Sequence, residues 1–277
     1  MINRVSILAL LLGALLALPL SCSKDSGNES NSSSDDTTKT VTDENGEDHE
    51  VNISDNKKLV GDSANDILSD ASYESIIFEI FYVAGFEPNQ NTVANFESFL
   101  KNRLNKPEGI TIELKEIESP GQDAYSVEDI AALEDAIRTE YNQDGRLAVS
   151  GIFLDGEYSE NTENGSVLGI AYRNTSFVIF EETVQSFSGQ AFGPSLTVLE
   201  STVLNHEFGH LMGMVNAGTP MQTEHQDTEH GRHCTDDSCL MYWTAETGEG
   251  LLNMLSGGTI PDFDSQCLAD LQANGGK

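Results

Sequence analysis

The sequence predicts an α/β (α+β) domain in which helices pack against a mixed, twisted sheet, and two observations support this prediction. Short runs rich in Ile, Val, Phe and Tyr, typical of buried strands, alternate with longer segments of helical periodicity. A later segment, which follows Ser195 and runs to Met212, is apolar on almost every side. It predicts a helix buried in the centre of the domain, with Ser195 as N-cap. Alternating strands and helices favour a layered arrangement.

The predicted elements follow a regular order before the buried helix. Ser126 and Asp129 form a near capping box at the start of one helix, and a polar turn around Asn174 separates the last two strands. In chain order the elements are a strand at Ser75–Val83, a helix at Thr92–Leu104, a strand at Gly109–Ile117, a helix at Ser126–Tyr141, and strands at Leu147–Leu154, Val167–Tyr172 and Phe177–Phe180.

Residues 1–22 have the pattern of an export signal, with Arg4 before an apolar stretch too short to span a bilayer comfortably. Leu20-Ser21-Cys22 resembles the lipobox of bacterial lipoproteins, in which the cysteine carries lipid, although Pro19 stands where an aliphatic residue is usual. We therefore expect an exported protein, anchored by lipid on Cys22 to the periplasmic or cell-surface face of a bacterial envelope. An ordinary signal peptide remains the alternative.

Residues 23–58 are predicted to be a disordered, acidic and Ser-rich tether. They contain almost no apolar side chains and cannot bury enough surface to offset the entropy of ordering. His49 is interpreted as a solvated residue of this tether. Residues 59–277 are sufficient for one domain with a full core.

The chain is strongly acidic, with a net charge of −32 at pH 7. This charge argues against nucleic acid as a partner, because phosphates would be repelled. One acidic run could hold Ca²⁺, although a solvated loop is the preferred interpretation; it consists of Asp155, Glu157, Glu160 and Glu163.

The segment His206–His210, with the sequence H-E-F-G-H, is the part of the buried helix that carries chemistry. Residues i and i+4 of a helix share a face, so His206 and His210 can bind one metal ion, and zinc suits imidazole ligands. Glu207 is placed to act as general base toward a metal-bound water. Gly213 then lets the chain leave the helix and turn back toward the ion.

This helix and the later segment His233–Met241 (H-C-T-D-D-S-C-L-M) resemble the catalytic domain of metzincin zinc metallopeptidases, and most closely the archaemetzincin-like group. That group carries the signature H-E-x-x-H-x-x-G-x-x-H-C-x-x-x-x-C-x-M. The match requires an insertion of about Asn216 to Arg232, because Asn216 stands where the third histidine is expected.

The resemblance implies a metzincin-like zincin fold with a central H-E-x-x-H helix, one catalytic Zn²⁺ held by three histidines, and a turn that places Met241 beneath the metal. His233 is the third ligand by motif match, while His225, His230 or a later glutamate remain alternatives. Asp227 and Glu229 could orient a ligand imidazole through its second nitrogen.

The cysteines outside the export signal are Cys234, Cys239 and Cys267. An exported protein experiences oxidising conditions, so we expect a disulfide, for which Cys234–Cys239 is one of three pairings. The archaemetzincin pattern continues to a C-x-x-C that binds a second metal. This chain has only Cys267 there, which disfavours a second zinc. Tyr242 and Trp243 are expected to pack in the core.

The predicted function is an envelope-tethered zinc endopeptidase that acts on a peptide or protein substrate, with Glu207 as general base. The segment Val167–Tyr172 is a candidate edge strand on which an extended peptide can pair. The alternative is a non-catalytic lipoprotein that contains zinc and binds a glycan or a host protein. A purely structural zinc site has a fourth protein ligand and no need of Glu207.

Overall fold

The computed structural model describes residues 37–42, 46–162, 165–189 and 193–277. The export signal, Cys22 and Glu163 lie outside these residues. Within the described part of the chain, no helix is both long and apolar enough to cross a bilayer.

The described strands are β1 (Thr38–Thr42), β2 (Asp48–Asn52), β3 (Tyr73–Val83), β4 (Gly109–Ile117), β5 (Ala124–Tyr125), β6 (Gly145–Leu154), β7 (Glu157–Tyr158), β8 (Gly169–Arg173), β9 (Ser176–Phe180), β10 (Gln226–Asp227) and β11 (His233–Cys234). The described α-helices are α1 (Ala64–Leu68), α2 (Gln90–Arg103), α3 (Val127–Ile137), α4 (Glu181–Ser188), α5 (Leu196–Leu211), α6 (Gly248–Met254) and α7 (Ser265–Ala273). Short 3-10 turns occur at Ser54–Asn56, Trp243–Glu246 and Leu255–Gly257.

A five-stranded sheet with the order β4-β3-β6-β9-β8 forms the framework. The first four strands in this order are parallel, and β8 runs antiparallel to β9 at one edge. Parallel strands are covered by helices on both faces, which explains why β3, β6 and β9 are almost continuously apolar and buried. The predicted α/β fold with a mixed sheet is confirmed.

Two apolar layers lie on opposite faces of the sheet. On one face α2 and α5 pack against β3, where the rings of Phe78, Phe96 and Phe208 meet edge-on with centroids 5.2 to 5.5 Å apart. On the other face α3 contributes Ile130 to a second cluster with Phe81. Because α5 packs against this face of the sheet, the residues of α5 hold a fixed position relative to the edge strand β8.

Helix α5 is buried along nearly its whole length, with every residue from Leu199 to Leu211 removed from solvent. The Ser195 side chain accepts a hydrogen bond from the Val198 N–H and caps the helix. Gly213 follows the helix with φ +69°, and a side chain there would collide with the Thr219 amide. The glycine thus allows the chain to turn sharply after the helix.

The structure differs from the expected tether at its C-terminal end. Strands β1 and β2 form an antiparallel hairpin, and Lys39 of β1 donates hydrogen bonds to the carbonyl oxygens of Asp135 (2.7 Å) and Arg138 (2.8 Å) at the end of α3. Ile53 is buried after the hairpin. Composition alone did not indicate this, because the hairpin is stabilised by polar contacts with the domain and not by its own apolar surface.

The helix predicted at Ser126–Tyr141 is shorter than expected, because Arg138 leaves helical geometry and turns inward. Its guanidinium pairs with Glu134 at 2.7 Å and donates to the Ala148 carbonyl at 2.9 Å, both in the core. A buried ion pair of this kind requires full hydrogen bonding, which Ser176 completes by donating to Glu134.

The described members of the acidic run 155–163 do not converge. Asp155 accepts hydrogen bonds from Ser119 and from the Tyr125 hydroxyl, and Glu157 accepts one from Asn161.

Candidate functional site

The structure brings together the imidazoles of His206, His210 and His233 with the carboxylate of Glu246. The Nε2 atoms of His206 and His210 are 3.2 Å apart. The Glu246 Oε1 atom lies 2.9 Å from His210 Nε2, 3.0 Å from His233 Nε2 and 3.4 Å from His206 Nε2. Four potential ligand atoms therefore surround one point.

Backbone carbonyls orient two of these imidazoles. Nδ1 of His206 donates to the Leu240 carbonyl at 2.7 Å, and Nδ1 of His233 donates to the His230 carbonyl. A neutral imidazole that donates through Nδ1 presents a lone pair at Nε2. Wherever these imidazoles are neutral, bare acceptors meet at the centre of the cluster and repel one another unless a cation lies among them, either a proton shared with Glu246 or a metal ion.

The spacing of these acceptors fits zinc. Zinc–nitrogen bonds of 2.0 to 2.1 Å in a tetrahedron give ligand–ligand distances of about 3.3 Å. The observed separations, from 2.9 to 3.4 Å, bracket that value. Three imidazoles and one carboxylate are also a donor set that zinc accepts.

The protonation of the cluster reflects its burial and its internal contacts. Burial lowers the pKa of His210 to about 4, so this imidazole is neutral at pH 7. Burial alone would raise the pKa of Glu246, but hydrogen bonds with the three imidazoles outweigh it and hold that pKa well below its usual range. The carboxylate is therefore ionised, as a metal ligand must be.

Met241 lies directly against the helix that carries the two histidines. A side chain at Gly209 would meet the Met241 sulfur at 2.4 Å, so only glycine admits the methionine there. Leu240, which orients His206, directly precedes this methionine. The turn at Met241 thus packs against the helix that carries His206 and His210.

Glu207 lies beside the cluster, beneath the edge strand. A side chain at Gly169 of β8 would meet the Glu207 Cγ at 2.7 Å, so the carboxylate packs directly under the strand. Burial raises the pKa of Glu207 well above its usual range, repulsion from Glu246 raises it further, and the Ala171 amide opposes both. Burial and the neighbouring carboxylate thus favour the protonated form of Glu207.

A cleft of about 340 Å³ opens along the edge strand over these groups. Its lining includes Gly169, Ala171, Glu207, His210, Arg232 and Glu246. An extended chain could reach both the free side of β8 and the histidine cluster from this cleft.

The segment from Asn216 to Arg232 is a closed loop. Arg232 at its end donates to the carbonyl of Asn216 at its start, at 2.6 Å. Strand β10 of this loop pairs with β11, which follows it, and this pairing places Asp227 opposite His233. The loop therefore returns the chain to its starting point just before His233.

The other histidines of this segment lie away from the cluster. His230 stacks on Trp243 with ring centroids 4.3 Å apart, and its Nδ1 contacts the Asp227 carboxylate at 2.7 Å. Asp227 therefore orients His230 and not one of the clustered imidazoles, and Glu229 is exposed. Trp243, like Tyr242, is only half-buried, in contrast to the expected core packing.

A second cluster of potential ligands contains His225, Cys234, Asp264 and Cys267, of which Asp264 is half-buried. The buried Cys239 lies beside it. The sulfurs of Cys239 and Cys267 are 3.7 Å apart, and His225 Nδ1 lies 3.4 Å from the Cys234 sulfur and 4.0 Å from that of Cys267. Zinc–sulfur bonds of about 2.3 Å give tetrahedral sulfur–sulfur distances of about 3.7 Å. The three cysteines are free thiols and not the expected disulfide.

Backbone N–H groups donate hydrogen bonds to two of these sulfurs. Backbone N–H groups of Met241 and Asp264 donate to the Cys239 sulfur, each at 3.4 Å, and the Asp236 N–H donates to Cys234 at 3.5 Å. His225 Nε2 contacts the buried Asp270 carboxylate at 2.7 Å, which leaves Nδ1 to face the sulfurs. A carboxylate that holds the outer nitrogen of a histidine is typical of metal ligation.

The spacing of the cysteines alone disfavours a second metal site. The signals that could have indicated it are His225, supplied by the closed loop, and Asp264 three residues before Cys267. Asp264 caps α7 by accepting from the Cys267 N–H, and its other oxygen lies 3.6 Å from the Cys234 sulfur.

No family model and no curated relative matches this chain. Among solved structures, it is similar to the crystal structure of archaemetzincin from Methanopyrus kandleri, with 18% sequence identity and a TM-score of 0.45. The matched region covers 73% of this chain and 96% of that one. The chemistry of the site therefore rests on its own residues.

Proposed function

We propose that the chain is a zinc-dependent endopeptidase whose metal is held by His206, His210 and His233. One observation carries the proposal, namely three imidazole Nε2 atoms that converge beside a buried, unpaired carboxylate under a sheet edge. Neither oxygen of Glu207 has a close hydrogen-bond partner among the described residues. A structural site does not require such a group, whereas hydrolysis requires a general base.

Zinc in this position supplies a Lewis acid that polarises the scissile carbonyl and acidifies water. The edge strand β8 orients the substrate backbone by adding it as a further strand to the sheet. Glu207 takes a proton from the attacking water and delivers it to the leaving amine nitrogen. A raised pKa favours the second of these steps, because it lets the carboxyl hold the proton until the amine leaves.

We further propose that the enzyme acts in a bacterial envelope, tethered by lipid on Cys22. The lipobox-like Leu20-Ser21-Cys22 and the polar residues that follow it support this location. The second candidate function, a non-catalytic zinc lipoprotein that binds a glycan or host protein, is favoured by Glu246, which supplies a fourth protein ligand.

Glu207→Gln separates the two functions. The amide keeps the size of the side chain but cannot take up a proton, so turnover of a peptide library should fall about 10²- to 10⁴-fold. Zinc content should remain that of the wild type, and the exposed Glu229→Gln variant should retain full turnover. Wild-type protein that is fully loaded with zinc and cleaves no member of a broad library would favour the binding lipoprotein.

A further inference from the structure

The Glu246 carboxylate occupies the position of a fourth ligand in the histidine cluster. Its Oε1 atom is 2.9 to 3.4 Å from all three Nε2 atoms, close to the edge length of about 3.3 Å for a zinc tetrahedron. In a catalytic zinc site that position belongs to water or substrate. Glu246 therefore stands where a reacting molecule has to bind.

Glu246 also lies on the side of the cluster that faces solvent. Its side chain is 30% exposed, whereas those of His206, His210 and His233 are 0%, 10% and 9% exposed. The three imidazoles form the base of the centre, and the carboxylate covers its opening. It is the one member of the set that can leave without moving a core element.

A short segment, Trp243–Gly248, carries this carboxylate, and we refer to it as the strap. The Leu168 N–H donates to the Glu246 carbonyl at 3.0 Å, and the Gly248 N–H donates to the Ser166 carbonyl at 3.1 Å. A bridge between Val167 and Thr247 lies between these bonds. The strap thus uses the backbone groups just before β8, at the start of the edge where a peptide would pair.

We propose that Glu246 is a fourth metal ligand that keeps the centre closed, and that the strap must detach from residues 166–168 before a peptide can bind. The proposal rests on the zinc-peptidase function proposed above. One movement would free both the ligand position and part of the sheet edge. Closed and open forms then differ by the hydrogen bonds of the strap and one carboxylate–metal bond, which are local contacts.

Acetohydroxamate, a small anionic zinc ligand, is a probe for the open form and requires no peptide substrate. If the open form of the wild type is about 0.1–10% populated, opening it fully raises the apparent affinity about 10- to 1,000-fold. We expect that increase for Glu246→Ala in calorimetric titrations of the zinc-loaded full chain. Glu229→Ala removes the same charge from an exposed site nearby and should retain the wild-type affinity.

A second variant tests the strap and leaves the carboxylate in place. A side chain at Gly248 would meet the Phe187 ring at 2.1 Å, so Gly248→Ala should displace the strap. We expect its hydroxamate affinity to rise, to a value between those of wild type and Glu246→Ala. If Glu246→Ala fails to fold, Gly248→Ala still tests the proposal.

Two outcomes would overturn the proposal. Equal hydroxamate affinity in all variants would mean that the wild-type centre is already open. Loss of zinc from the histidine cluster in Glu246→Ala, with zinc retained in Glu229→Ala, would make Glu246 a permanent structural ligand. Failure of the proposed function is a separate result, in which no variant cleaves peptides whatever its hydroxamate affinity.

Discussion

The two candidate metal centres share one short stretch of chain but differ in how they are enclosed. His233 belongs to the first centre and the adjacent Cys234 to the second. Leu240 orients His206, and the sulfur of the adjacent Cys239 lies 3.7 Å from that of Cys267 in the second centre. The histidine centre has one half-buried member, Glu246. The second centre also has one half-buried member, Asp264, but this residue caps α7 by accepting from the Cys267 N–H, and His225, Cys234 and Cys267 are buried.

We infer from this difference that the first centre can open and the second cannot. Replacing a ligand of the second centre requires a core element to move, because Cys267 lies on α7 and Asp264 caps that helix. Replacing Glu246 requires only the strap to move. The way in which the half-buried ligand is held, more than the number of ligands, thus distinguishes the proposed catalytic centre from the proposed structural one.

The largest expected effect comes from removing one ligand of the cysteine centre. Metal-binding free energy at a closed thiolate site is folding free energy, so Cys234→Ala should lower the free energy of unfolding by up to about 10 kcal/mol. His210→Ala should lower it far less, because Glu246 and two imidazoles remain around a more open site. Thermal unfolding with elemental analysis measures both effects.

We expect two zinc ions per wild-type chain and one in each of these variants. Equal losses of stability in Cys234→Ala and His210→Ala would remove the distinction between the centres. Wild-type protein that holds one zinc, with Cys234 and Cys239 joined in a disulfide, would restore the pairing expected from sequence.

Local periodicity explains which parts of the histidine centre could be predicted. The i, i+4 spacing places His206 and His210 on one helix face whatever the rest of the fold. Likewise, the alternation of apolar strands and amphipathic helices is sufficient to predict the fold class. These features depend on residues close together in sequence, where helix and strand geometry determines direction.

Glu246 and His225 could not be predicted in this way, because tertiary contacts bring them to their centres. Glu246 arrives through backbone pairing between the strap and residues 166–168, which no sequence pattern marks. His225 arrives because the Arg232–Asn216 contact closes its loop. The hairpin β1–β2 was missed for a similar reason, since Lys39 contacts carbonyls at the end of α3.

A buried carboxyl pair without imidazole or thiol neighbours offers a contrast to both centres. Glu181 begins α4, Glu200 lies in α5, and both are fully buried. Burial and, to a smaller extent, the neighbouring Glu200 together raise the pKa of Glu181 to about 10. The pair therefore retains a proton at neutral pH, whereas Glu246, among imidazoles, is ionised.

The raised pKa of Glu181 predicts how the free energy of unfolding changes with pH. A carboxyl whose folded pKa is raised stabilises the protein below pH 4.5, and this contribution is lost as pH rises toward 10. At about 1.4 kcal/mol per pH unit for one proton, the loss between pH 4.5 and 7 is roughly 3 kcal/mol. Glu181→Gln should reduce that slope in urea unfolding at several pH values, and the exposed Glu182→Gln should not. Unchanged slopes in both variants would mean that the pair does not hold the proton.

The smallest expected effect concerns Asp270, which holds the outer nitrogen of His225. Losing a carboxylate that orients a ligand histidine typically weakens metal binding about 10- to 100-fold. Asp270 is fully buried, and its second oxygen also accepts from the Gln222 N–H at 2.6 Å. Asp270→Asn preserves the shape but reduces the charge, so the change acts through the His225 imidazole.

Competition with a chromogenic chelator should show weaker binding of one zinc only, while the zinc of the histidine centre and its peptide turnover stay at wild-type values. If Asp270→Asn instead lowered peptide turnover and left both zinc affinities unchanged, the two centres would be coupled through the shared stretch His233–Met241, and their separation into a closed and an opening centre would fail.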